Sequence, residues 1–122
     1  MSDPLFFKTA AELSDLLAAK TISATELVQA FIERTEAIEP KVKAFVSWDA
    51  SRALEEAAAS DQRRSQGAAL GPLDGLPVGM KDVISVKDHP LTCSSKMLEK
   101  YISPYDAHVT EQMRAKGLIP WG

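Results

Sequence analysis

The sixteen residues Gly71-Pro-Leu-Asp-Gly-Leu-Pro-Val-Gly-Met-Lys-Asp-Val-Ile-Ser-Val86 constrain this chain more than any other stretch. Gly71, Pro72, Gly75 and Pro77 break regular structure, so the chain enters the segment as a constrained loop. Val78, Met80, Val83, Ile84 and Val86 then form a β-prone apolar run of the length of a buried strand. Lys81 and Asp82 interrupt that run. A lysine inside a buried strand needs a partner or gives up its proton. Two readings of Lys81 therefore stand side by side. It is an edge or ion-paired lysine with a structural job, or it is a base. A free lysine titrates near ~10.4, and burial or neighbouring cations bring a neutral amine within reach of neutral pH.

Helical patterns precede this segment. Thr9-Ala-Ala-Glu12 is a capping box, followed by Leu13, Leu16 and Leu17 at helical spacing, and predicts a helix over about 10–20 with Ile22 packed beneath it. Ser23-Ala-Thr-Glu26 is a second capping box. It opens a longer helix over about 24–38 whose stripe is Leu27, Val28, Phe31, Ile32 and Ile38, with Pro40 ending it. Val42, Ala44, Phe45 and Val46 read as a short strand or an extended connection. Asp49 or Ser51 caps an Ala-rich third helix over about 50–66, closed by Gly67. Its charges, Glu55, Glu56, Asp61, Arg63 and Arg64, read as a solvated face.

Beyond the central segment, Lys87-Asp-His-Pro90 is a turn and Leu91-Thr-Cys-Ser-Ser95 a short polar stretch. Cys93 reads as a small buried residue, Ser94 and Ser95 as loop or cap hydrogen-bonders, and Met97 and Leu98 as anchors of a short turn. Asp106 reads as the N-cap of a helix over about 107–116, with Val109 and Met113 as its buried face and Gly117 at its end. Leu118–Trp121 then starts a strand, completing a β-α-β crossover from Val78–Val86. So small a sheet is marginal alone, and a parallel pair needs cover on both faces. The pattern is expected to be the opening of a larger α/β domain.

Composition narrows the function classes. The chain has 122 residues, 45% of them hydrophobic and 25% charged, with a net charge of −3. It lacks a basic patch suited to direct nucleic-acid binding. A single cysteine excludes a disulfide framework and a multi-cysteine zinc site, and His89 and His108 make no metal spacing with it. Met1–Phe7 has no basic region leading into a long apolar core, and no apolar run approaches a membrane span, so a cytoplasmic protein is expected.

Taken together, two capped helices, Glu39-Pro-Lys-Val-Lys-Ala-Phe45, an Ala-rich helix and Gly71-Pro-Leu-Asp-Gly-Leu-Pro-Val-Gly-Met-Lys-Asp82 resemble the N-terminal part of the amidase signature family. The resemblance runs from about Thr9 to Gly122. Thr92-Cys-Ser-Ser-Lys-Met-Leu-Glu-Lys-Tyr101 and Pro104-Tyr-Asp-Ala-His-Val109 are similar to the branch that forms the A subunits of glutamyl-tRNA(Gln) amidotransferases. Val83 stands where the family commonly has Asn, and Leu91 where it commonly has Thr.

The resemblance implies an α/β fold in which a mixed sheet is sandwiched by helices. Residues 1–122 would be its N-terminal fragment: a helical region over about 9–67 and the start of the α/β core over about 71–122. It implies a Ser–cis-Ser–Lys triad with Lys81 as proton acceptor. Both serines would lie beyond Gly122, Ser94 and Ser95 would not replace them, and the isolated chain would be inactive. It implies that the parent hydrolyses glutamine and hands the ammonia to a B subunit, which amidates ATP-activated Glu-tRNA(Gln), while a C subunit braces the glutamine-hydrolysing one. On that reading this segment binds no cofactor or metal, ATP and magnesium serve the whole complex, and tRNA is met only through the B subunit. A general amidase acting on small amides and a non-catalytic helical interaction module are the alternatives.

Overall fold

The computed structural model describes residues 4–122. The part of the leader reading that rests on Met1, Ser2 and Asp3 lies outside the described residues. A short 3-10 turn at Leu5–Phe7 precedes helices α1 (Ala10–Ala18), α2 (Ala24–Val42) and α3 (Ala50–Ser65). Strand β1 (Pro77–Gly79), a 3-10 turn (Lys96–Leu98), helix α4 (His108–Ala115) and strand β2 (Ile119–Trp121) follow.

Both capping boxes form. The Thr9 hydroxyl accepts from the Glu12 N–H, and the Glu12 carboxylate accepts from the Thr9 N–H. Ser23 and Glu26 repeat the exchange on α2. Helix α2 runs past the expected stop, with Pro40 inside its last turn. A proline there withholds its N–H from the ladder and crowds the preceding turn, yet it does not stop the helix. The helix goes on to Val42 and closes at Lys43 in the left-handed region, whose N–H donates to Glu39 O at 2.8 Å. The Glu39 carboxylate accepts from the Phe45 N–H, also at 2.8 Å. Of the two readings of residues 42–46, the connection stands: Val42 finishes α2 and no strand forms.

Asp49 caps α3 by accepting from the Arg52 N–H. Of the charges on α3, Glu55 is exposed as read, and the other four are engaged by distant parts of the chain. The Asp61 carboxylate accepts from the Ala24 and Thr25 N–H groups at the start of α2, at 2.7 and 3.0 Å, and from the Thr25 hydroxyl. With Ser23 holding the Glu26 N–H, three orphan donors of that helix end are satisfied. Glu56 pairs with Arg114 at 3.2 Å. Arg63 and Arg64 both reach the loop before β1. A charge pattern on one helix cannot show that its partners come from elsewhere in the chain.

The core gathers Leu13 and Leu17 of α1, Leu27, Val28 and Ile32 of α2, Ala53 and Ala57 of α3, and Leu76, Ile119 and Trp121 from the strand layer. Trp121 is wedged between aromatic groups: Trp48 stacks on it at 5.8 Å and Phe31 meets it edge-on at 6.4 Å. The small face of α3 admits the loop before β1. A side chain at Gly75, where φ is +95°, would run into Ser60 and Ala24.

The strands pair in parallel, Pro77 with Ile119 and Gly79 with Trp121, joined by the crossover through α4. Bonds from Gly75 N–H to Gly117 O and from Met80 N–H to Trp121 O extend the contact beyond both ends. The strand is much shorter than the apolar run from Val78 to Val86, because the chain turns at Lys81, whose carbonyl accepts from Val83 and Ile84 N–H. Helix α4 also differs from expectation. Asp106 does not cap it, being engaged by the Lys87 N–H and Arg114, and Ala107 takes the cap position. Val109 is exposed and Thr110 is the buried residue, its hydroxyl donating to Ser85 O at 2.8 Å. Among the described residues no helix is long and apolar enough to cross a membrane.

Candidate active site

Chain direction places the site. Both strands point the same way, so residues just beyond Gly79 and Trp121 meet at one end of the pair, the carboxyl end, where open α/β sheets bind ligands. Lys81 and Gly122 stand there, on a cleft of about 390 Å³ whose walls also include Phe45, Asp82, His89 and Ser94. Lys81 is exposed to this cleft rather than held inside a strand, which corrects the expectation of a buried lysine. The physical reason is the early end of β1: the chain leaves the sheet before Lys81. Among the described residues, no carboxylate lies within ion-pairing distance of its amine.

Asp82, which follows Lys81, is engaged by the segment after Leu91. Its Oδ1 accepts from the Thr92 N–H at 2.7 Å and its Oδ2 from the Thr92 hydroxyl, while its backbone carbonyl accepts from the Cys93 N–H at 3.0 Å. Partial burial pushes the Asp82 carboxyl up, but the Thr92 hydroxyl and the N–H groups of residues 92–94 outweigh it and hold the pKa below the usual carboxylate range. The clasped segment is a tight turn in which Ser95 N–H donates to Thr92 O at 2.8 Å. Cys93 and Ser94 both occupy the left-handed region there, with φ of +49° and +59°. Cys93 is exposed on this turn, not buried as its residue type suggested.

Ser95 caps the turn at Lys96–Leu98, as read from sequence. Met97, expected to anchor that turn, is 95% exposed. Ser94, read as a loop residue, stands on the same cleft as Lys81. Sequence reasoning missed the Asp82–Thr92 clasp and the Phe45 wall. Neither partner spacing follows a helical or strand period, so the only available signal was the carboxylate next to the lysine. Among the described residues no three His, Cys, Asp or Glu side chains come together to hold a metal.

Comparison with known proteins gives this geometry its context. The amidase family model matches residues 26–122. The A subunit of the glutamyl-tRNA(Gln) amidotransferase of Heliobacterium modesticaldum is 43% identical over 118 residues, 97% of this chain and 24% of that protein. Its counterpart of the same name in Thermobifida fusca is 46% identical over 114 residues, 93% of this chain and 23% of its own length. Among solved structures, the peptide amidase of Stenotrophomonas maltophilia superposes with a TM-score of 0.90 at 30% identity, over 98% of this chain and 25% of that one. A bacterial aryl acylamidase of the amidase signature enzymes gives 0.90 at 29%, with the same coverage. The chain thus spans about a quarter of the length of the relatives it matches. The sequence motif around Lys81, the strand that delivers it and the superposition agree, and the chain belongs to the amidase family.

Proposed function

We propose that this chain supplies the proton-accepting lysine of an amide-hydrolysing site, in a protein that releases ammonia from glutamine for the amidation of Glu-tRNA(Gln). The observation that carries the reading is the position of Lys81. It lies just past the carboxyl end of β1, on an open cleft, free of any carboxylate partner among the described residues. That place, at the carboxyl end of a parallel strand pair, is where open α/β sheets bind ligands.

In this mechanism the neutral Lys81 amine takes a proton from a bridging serine, which takes one from the nucleophilic serine. The serine oxygen attacks the side-chain amide carbon of glutamine. The carbon–nitrogen bond breaks, the proton returns to the leaving nitrogen, and ammonia departs. Water then frees glutamate from the acyl-enzyme. Backbone N–H groups beside the serines stabilise the oxyanion. Neither serine belongs to this segment in the family pattern, so the 122-residue chain alone is expected to be inactive. Within the complex, a B subunit uses the ammonia, ATP and magnesium and holds the tRNA, and a C subunit braces the assembly. The site belongs to the cytoplasm, where translation takes place.

The glutamine reading rests on relatives 43–46% identical, whereas the peptide amidase and aryl acylamidase are 29–30% identical. The test is turnover by the full-length protein that carries this segment, with glutamine and with simple aliphatic and aryl amides. Ammonia release from glutamine that is lost in Lys81→Ala supports the proposal. Turnover of the simple amides with none of glutamine points to a general amidase.

A further inference from the structure

We infer that Asp82 is a positioning residue for this site, fixing the turn Thr92–Ser95 as one wall of the cleft that Lys81 enters. The inference rests on the reading of Lys81 as proton acceptor.

Three observations carry it. First, the hydrogen bonds that Asp82 accepts converge on one turn. Both carboxylate oxygens and its backbone carbonyl hold residues 92 and 93, about ten positions away in sequence. Second, the hold is passed on: the Thr92 hydroxyl donates to Asp82 and accepts from the Ser94 N–H at 3.3 Å. Third, the turn needs holding. Two successive residues other than glycine at φ of +49° and +59° persist only where their surroundings over-determine them. The result of that strain is local and specific, because Ser94 stands on the cleft shared with Lys81.

Lys81 and Asp82 are adjacent, so the clasp also fixes the backbone that bears the lysine. The turn at Lys81–Ile84 closes on one side of Asp82 and the Thr92 turn on the other. Loosening either would let the Lys81 amine wander relative to its proton donor. A misplacement of that kind affects the chemical step more than substrate capture.

The experiment uses the full-length protein with L-glutamine as substrate and the variants Asp82→Asn, Thr92→Val and Thr92→Ser. Steady-state kcat and KM are measured beside amide hydrogen exchange at Cys93, Ser94 and Ser95. Thr92→Val should lower kcat on the order of tenfold to a hundredfold with KM little changed, and speed exchange across the turn. Thr92→Ser, which keeps the hydroxyl, should restore both. Asp82→Asn should match or exceed Thr92→Val. Should Asp82→Asn fail to fold, Thr92→Val still decides, since it leaves the carboxylate and the Thr92 N–H bond in place. The inference is overturned if exchange rises while kcat holds, or if kcat falls with exchange unchanged. Undiminished activity in Lys81→Ala would refute the lysine reading instead, and the exchange data would still report whether Asp82 holds the turn.

Discussion

The guanidinium of Arg63 grips the carboxylate of Asp74 at both oxygens, at 2.9 Å from Nε to Oδ2 and 2.6 Å from Nη2 to Oδ1. Asp74 is fully buried, and it also accepts from the Leu70 N–H at 2.9 Å. This pair ties α3 to the loop that delivers β1, and so to the lysine at the strand's far end. A buried carboxylate deprived of its cation is costly. Arg63→Met should therefore destabilise the chain by about 3 kcal/mol, the low end for a buried pair because Arg63 itself is partly exposed. Urea unfolding midpoints measure it, and a loss below about 0.5 kcal/mol, the range of ordinary surface substitutions, would show that the pair is dispensable.

The same pair sets a pH dependence. Burial pushes the Asp74 carboxyl up, but Arg63 and the Leu70 N–H outweigh it and leave the pKa below the usual carboxylate range. A folded pKa below the unfolded one favours the ionised form in the folded state. Its stabilisation is complete above the unfolded value near ~3.9 and is lost as pH falls through the folded value. Denaturation midpoints taken from neutral pH downward should fall below about pH 4, and Asp74→Asn should flatten that part of the curve. An unchanged slope in the variant would assign the acid sensitivity to other groups.

Gly117 faces that carboxylate. Its φ is +81°, and a Cβ there would overlap Oδ1 and stand 2.8 Å from Cα of Asp74. Gly117→Ala combines backbone strain with a clash against a group that Arg63 holds in place, so a loss of about 2–5 kcal/mol is expected. A Gly117→Ala chain as stable as the parent would mean that the Asp74 loop shifts freely and is no rigid mount for β1.

At the start of α2, Ser23 and Asp61 satisfy different donors, the Glu26 N–H on one side and the Ala24 and Thr25 N–H groups on the other. Each alanine substitution should cost about 1 kcal/mol, as lost caps do. Because the donors are distinct, the double variant should cost more than either single one. Thermal unfolding of the two single variants and the double variant checks this, and a double variant no worse than either single one would rule out separate caps.

What could be read from sequence was what local rules govern. Both capping boxes, the start of α3 and the parallel pairing of the two strands followed from caps, breakers and apolar runs. Misreadings came where a distant partner decides. Arg63 and Asp61 looked solvated until Asp74 and the α2 terminus were in place. Asp106 looked like a cap, yet Arg114 and the Lys87 N–H had claimed it. Val83 and Ile84 looked like strand, but the turn at Lys81 ends the ladder first. Within the site, Lys81 was legible because a charge in an apolar run is anomalous. The Asp82–Thr92 clasp was not, because a separation of about ten residues carries no periodic signal.

A lysine that accepts a proton and a lysine that merely carries charge respond differently to arginine. Arginine keeps the positive charge but stays protonated at any accessible pH. On the proposed function, the full-length protein is assayed together with B and C subunits for formation of Gln-tRNA(Gln), with glutamine and separately with ammonia as the nitrogen source, for Lys81→Ala and Lys81→Arg. If Lys81 is the proton acceptor, both variants lose glutamine-driven formation while ammonia-driven formation persists, since that chemistry uses another site. Near-normal glutamine-driven formation in Lys81→Arg would instead make Lys81 a structural charge and remove it from the reaction.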